Sequence, residues 1–249
     1  MQFSLRTSRK FFALLLLLMG VESFGLGGCL TKPDPLPNTD FLLPGRLVHS
    51  DTIPFQKVWF KPGLDLTKYH EIYIASVHTD YLLKMNWWQE LERGSSIRED
   101  LPGLALFVQQ TLKEAFRRDP RNRFKVVEIP KQGTLVLRFA LVEVVPTKTA
   151  LKVAGFIPPV AIPARLVGLG SKSTAAFEAR LEEGIHGKVI AMFADREAAK
   201  FTIASVKDFT WYGHAKGMIE EWADQLVKVL NKKPGEAIKD SGFFELKPW

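Results

Sequence analysis

The chain carries one thiol, Cys29, directly after Leu26-Gly27-Gly28. A cysteine reacts as its thiolate, the nucleophile of acyl and alkyl transfer. With no second cysteine it can form no internal disulfide, so its partner must come from outside the chain. The other residues that could do chemistry are dispersed. His49, His70, His78, His186 and His214 include no pair four apart on a helix beside a carboxylate, so no HExxH-type zinc site is expected. His70 and His78 flank one apolar run with Asp80 close by, which suits solvated strand ends better than a metal. Gly168-Leu169-Gly170-Ser171 lacks the third glycine of a phosphate cradle. No Gly-x-Ser-x-Gly elbow occurs. The reading is therefore no catalytic residue, no metal and no cofactor.

The sequence around Cys29 says what its chemistry is. Arg6, Arg9 and Lys10 form a positive start, and Phe11 to Val21 is an unbroken apolar run of eleven residues. That length suits a secretory signal and falls short of the roughly 20 residues needed to cross a bilayer. Leu26-Gly27-Gly28-Cys29 resembles the lipobox of bacterial lipoproteins. Small residues let an extended chain enter a peptidase cleft, and the thiol accepts diacylglycerol. Each buried methylene adds about 0.8 kcal/mol of membrane affinity, and one acyl chain alone holds only marginally. Several chains on one residue hold durably. Glu22, late in the apolar region, departs from the pattern. Leu30 stands where an Asp would retain a lipoprotein in the inner membrane, so the outer membrane, facing the periplasm, is expected.

Removing residues 1–28 leaves 221 of 249, enough for one domain with its own core. The formal charge is +7, of which Arg6, Arg9 and Lys10 against Glu22 supply +2, leaving about +5 for the remainder. This favours loose attraction to anionic lipid or polymer. No basic stripe with interleaved aromatics points to nucleic acid. A solvated basic surface without a specific partner explains the charge equally well.

These features must be carried by a folded body. Residues 29–54 hold Pro33, Pro35 and Pro37 and read as a lipidated cysteine on a semi-rigid tether. Residues 55–232 read as the domain and 233–249 as a tail. Strands are expected at Val58–Phe60, Glu71–Val77, Phe124–Ile129 and Thr134–Val145. A hairpin follows, Ser173–Glu183 with Val189–Arg196. In its first strand Ala175, Phe177, Ala179 and Leu181 lie on one face. Thr174, Ala176, Glu178, Arg180 and Glu182 lie on the other, which is expected to be wet. Leu101–Asp119 reads as an amphipathic helix capped by Asp100, with Pro102 in its first turn, and Gly213–Asn231 as a second. Asp80 to Asp100 reads as a polar loop. The order implies an α+β domain: a single mixed, mainly antiparallel sheet with two amphipathic helices packed on one face.

Two apolar features are left over. Leu151 to Gly170 is apolar yet interrupted by Pro158, Pro159 and Pro163. It either folds over the domain's own sheet or exposes Phe156, Ile157, Val160, Ile162 and Leu166 as an interaction loop for a membrane or partner protein. Trp87-Trp88 suits an interface or the core. Glu178, Arg180, Glu182, Asp195 and Arg196 would share the hairpin's outer face, as cross-strand pairs or as a polar groove.

Phe60-Lys61-Pro62-Gly63-Leu64-Asp65-Leu66-Thr67-Lys68-Tyr69, Gly133-Thr134-Leu135 with Val142–Pro146, and Gly168–Arg180 followed by Ala194-Asp195-Arg196-Glu197 resemble the uncharacterised bacterial lipoproteins grouped as domain of unknown function 3313. The resemblance covers roughly residues 40–230 and implies an exported lipoprotein with no established activity. The expected role is non-catalytic binding or assembly at the envelope. The membrane is held through the lipid anchor, and an envelope protein or a second copy is the partner. An oligomeric export accessory and, less favoured, an envelope hydrolase are the alternatives.

Overall fold

Five of the six strands are rich in Val, Ile, Phe, Leu and Ala, and they assemble into one sheet in the order β1-β6-β5-β4-β2-β3. A computed structural model describes residues 33–238, apart from 37, 44, 86, 88–93, 148–150, 152–171, 185–186, 201–209 and 234. The strands are β1 (Lys57–Phe60), β2 (Glu71–Ile74), β3 (Lys125–Val126), β4 (Leu135–Val145), β5 (Lys172–Glu183) and β6 (Val189–Lys200). The helices described are α1 (Gly94–Arg117) and α2 (Ala215–Leu230). β4, β5, β6 and β1 pair antiparallel, while β2 runs parallel to both β4 and β3. The expected α+β class is the observed one.

Both helices cover the same face. α1 presents Ile97, Leu101, Leu104, Val108, Leu112, Ala115 and Phe116, all buried, at three- and four-residue spacing. α2 presents Met218, Ile219, Trp222, Ala223, Leu226 and Leu230. Between them and the sheet, the Phe139 and Phe177 rings stack at 4.8 Å, and Trp222 meets Phe177 at 4.8 Å. Burying each such aromatic contributes about 1.5–3 kcal/mol. Gly184 opens the turn after β5 at φ 72°, a left-handed conformation natural to glycine. Its N–H is bound to the Thr134 carbonyl.

The helix expected to start at Leu101 begins instead at Gly94. Ile97 extends the apolar stripe one turn upstream, and packing of that turn outweighs Pro102, which removes one N–H from the ladder inside the helix. Asp100 is therefore no cap. Its carboxylate accepts the Trp211 indole N–H at 3.1 Å, and burial raises its pKa despite that bond. Asp80–Lys84, expected as loop, is a 3₁₀ turn. β2 and β3 are shorter than expected.

The second sheet face is the larger correction. Of the five β5 residues expected to be wet, Ala176, Glu178 and Glu182 are buried, with Thr174 and Arg180 half-buried. The cover is the proline-rich stretch itself. From Pro33 to Val48 it crosses the sheet as a strap and returns to pair with β1, Val48 and Val58 exchanging backbone hydrogen bonds of 2.9 and 2.8 Å.

Candidate functional site

The strap and the face beneath it are the most elaborated polar site among the described residues. Small side chains make the close approach feasible. Ala140, Ala176 and Ala194 lie on the outer face of three neighbouring strands, and Phe41 and Leu42 pack onto Ala140 and Met192. Polar contacts fix the register of the strap. Gln56 Nε2 donates to the Pro33 carbonyl at 2.6 Å. Arg196 Nη1 donates to that of Asp34 at 3.1 Å, and Lys57 Nζ to that of Leu36 at 2.9 Å. Thr39 donates its backbone N–H to Glu178 Oε1 at 2.8 Å and its hydroxyl to Glu178 Oε2 at 2.6 Å. Arg180 Nη1 donates to the Phe41 carbonyl at 2.7 Å while its guanidinium lies 4.8 Å over the Phe41 ring.

The charges are matched in place. Glu182 accepts Arg138 Nε and Arg180 Nε, each at 2.8 Å. Glu143 holds Arg196 through two bonds of 2.8 and 3.1 Å, the bidentate geometry an arginine fork provides. Beside them Tyr81 donates to Asp40 at 2.8 Å. That bond holds the Asp40 carboxyl below its usual range. Burial, then Asp40, pushes the Tyr81 phenol up. Asp195, expected on this outer face, faces the helices instead. It accepts the Gln56 N–H and the Trp222 indole N–H, both at 3.1 Å. The β5–β6 register pairs it with Phe177, whose ring is in the core, and paired residues share a face.

The chemistry of this arrangement is binding of an extended peptide, and the strap is the peptide. Between strap and sheet, a gap lined by Pro35, Leu36, Val142, Ala176 and Ala194 holds about 10 Å³. That is room for one water, far below the several hundred Å³ of a small-molecule site. Among the described residues no three His, Cys, Asp or Glu side chains gather to hold a metal. His70 and His78 are exposed at opposite ends of β2, and His78 packs on Phe41 at 5.4 Å. His49 meets Asp51 at 3.1 Å. Burial pushes His214 down to about 4.

Trp87 is half-buried and packs against the Trp211 ring at 5.6 Å. Trp88, Leu26, Gly27, Gly28 and Cys29 lie outside the described residues, as do Phe156, Ile157, Val160, Ile162 and Leu166. Leu151, at the start of that apolar stretch, is buried in the core. Sequence reasoning missed the strap. Its signal was Phe41-Leu42-Leu43, an apolar run inside a proline-rich segment, together with alanines on a face expected to be wet.

The family model described as "Protein of unknown function (DUF3313)" matches residues 45–226. This span contains all six strands, α1 and most of α2, and begins after the crossing part of the strap. No curated protein matches. Among solved structures the chain is similar to a PelC dodecamer from Paraburkholderia phytofirmans, at 10% identity over 71% of this chain and 97% of that one, TM-score 0.39. It is also similar to the hypothetical protein CT253 from Chlamydia trachomatis, at 11% identity over 65% and 98%, TM-score 0.36. Likenesses this loose carry no argument about fold or assembly. The family match spans most of the chain, and the protein belongs to the DUF3313 family.

Proposed function

We propose that this protein is a lipid-anchored component of the bacterial envelope, exported by residues 1–28, held by acyl chains on Cys29, and working in the periplasm by binding or assembly without catalysis. The observation that carries the reading is Leu26-Gly27-Gly28-Cys29 placed four residues behind an eleven-residue apolar run. Leu30 in place of an Asp favours the outer membrane. The closed strap site, with space for one water, supports a scaffold over a substrate cleft.

The partner-facing element of this reading is the stretch that holds Phe156, Ile157, Val160, Ile162 and Leu166. From Val144 to Phe177 the sequence contains Lys148, Lys152, Arg165 and Lys172 and no acidic residue. Apolar residues among cations, without acids, suit an anionic membrane surface or an acidic partner.

Fractionation of cells producing the wild-type chain and C29S tests the anchor. The wild type is expected in the membrane fraction and C29S in the soluble periplasm. A C29S chain that has lost residues 1–28 and still stays in the membrane overturns the lipid anchor. Light scattering of the detergent-extracted protein tests self-association. A particle several times the mass of residues 29–249 supports it, and a monomer leaves an envelope protein or lipid as the partner.

A further inference from the structure

We infer that two copies of this chain exchange their straps: residues 33–43 of each lie on the sheet of the other, in a two-fold dimer joined along the β1 edges, with the turn at Gly45 as the hinge. The inference deepens the assembly reading by naming the element that joins the copies, and it does not depend on the lipid anchor.

The seat is indifferent to which chain supplies the strap. Gln56, Arg196, Lys57 and Arg180 each donate to a main-chain carbonyl of the strap. Thr39 adds its two bonds to Glu178, and Phe41 and Leu42 pack onto Ala140 and Met192. A strap from a second copy makes the same contacts, so exchange gives up none of them. That is why swapping an identical element is a low-cost route to a dimer.

The two limbs of the strap place the hinge at one edge of the sheet. The outgoing limb is held by Gln56 and Lys57, at the start of β1, and the returning limb pairs Val48 with Val58. β1 ends the strand order and Val48 lies beyond it. An outermost edge of this kind is a template for another chain. Between the seated Leu42 and Val48 the chain turns at Gly45, φ 77°. Leu43 and Val48 flank that turn and are 42% and 61% exposed, two of the four large apolar side chains exposed among the described residues. A second copy across this edge covers both, and burying them adds to the contacts that exchange preserves.

Reach permits the crossing. Leu42 sits on Met192 of β6, one strand in from β1. From Val48 of one copy across the partner's returning limb and β1 to its β6 is three strand spacings, about 14 Å. Leu42 and Val48 are six residues apart, a span of at most about 20 Å. The hinge therefore bridges the two copies while each returning limb stays paired with its own β1.

The test uses two differently tagged full-length chains, produced in equal amounts in the same cells and extracted together in detergent. Asn38 is exposed and its Oδ1 lies 3.1 Å from Lys57 Nζ. In N38D a carbodiimide therefore joins the new carboxylate to Lys57 as an amide, with the carboxylate oxygen leaving on the urea. N38D alone supplies the reference yield. In the pair, one chain carries N38D and K57Q and the other is unchanged at both positions, so only a strap of the first on the face of the second can react. Random pairing makes half the dimers mixed, and one of the two seats in each is reactive. The pair should thus give about a quarter of the reference yield as a covalent dimer, with its junction between positions 38 and 57 read by peptide mass spectrometry. Linkage in N38D alone with none in the pair overturns the exchange. A multimer in light scattering would then leave the assembly reading standing. No linkage in N38D alone shows that the strap does not lie on the sheet, and overturns the exchange as well.

Discussion

Thr39 supplies both hydrogen bonds to the buried carboxylate of Glu178, one from its backbone and one from its hydroxyl, at 2.8 and 2.6 Å. Glu178 is 2% exposed. A buried charge that loses a donor keeps its desolvation penalty. Thr39→Ala should therefore cost about 1–3 kcal/mol, read by urea unfolding. Glu178→Gln should cost less, because a neutral amide needs less compensation. In the double variant T39A/E178Q the two losses should not add. Full additivity would show that Thr39 and Glu178 are not coupled.

Trp222 ties α2 to the sheet through its indole N–H on Asp195 Oδ2. Trp222→Phe keeps most of the aromatic packing against Phe177 and removes the donor, so a loss of about 1–3 kcal/mol is expected. Trp222→Ala removes the ring as well and should cost about 3–5 kcal/mol. Equal losses in thermal unfolding would mean that the hydrogen bond contributes nothing.

His214 makes stability depend on pH. Its folded pKa is pushed to about 4 from an ordinary 6.5 by burial. Below pH 6.5 the unfolded chain takes up a proton that the folded chain refuses until about pH 4, so stability is lost as pH falls through that window. The slope is about 1.4 kcal/mol per pH unit. His214→Gln should flatten this part of the profile in denaturant titrations at pH 7, 6 and 5. An unchanged slope would assign the dependence to other groups.

Much of the fold could be read in advance because its signals are periodic. Phe177 and Leu181 alternate with Glu178 and Glu182 along β5, and Leu104, Val108 and Leu112 recur at helical spacing along α1. What escaped the reading depends on contacts far apart in the sequence. Thr39 and Glu178 are separated by 139 positions, and nothing local to either announces the other. Prolines at 33 and 35 lowered helix and strand propensity without revealing that the extended chain had a surface to lie on. Pro102 misled in the opposite direction. Local propensity marked it as a first-turn residue, while burial of Ile97 carried the helix two turns further.

Pro102 sits exposed inside α1. Pro102→Ala restores a donor to the Arg98 carbonyl and removes the ring's clash with it. A gain of up to about 3 kcal/mol is expected, with slower hydrogen exchange across residues 97–102. Destabilisation by this substitution would show that the helix is built around the proline.

Covalent lipid at position 29 is tested most directly by intact mass spectrometry of the mature protein extracted from membranes. The predicted result is a chain beginning at Cys29 whose mass exceeds that of residues 29–249 by a diacylglyceryl group and further acyl chains. A free thiol at Cys29, or a chain beginning at any other residue, would contradict it.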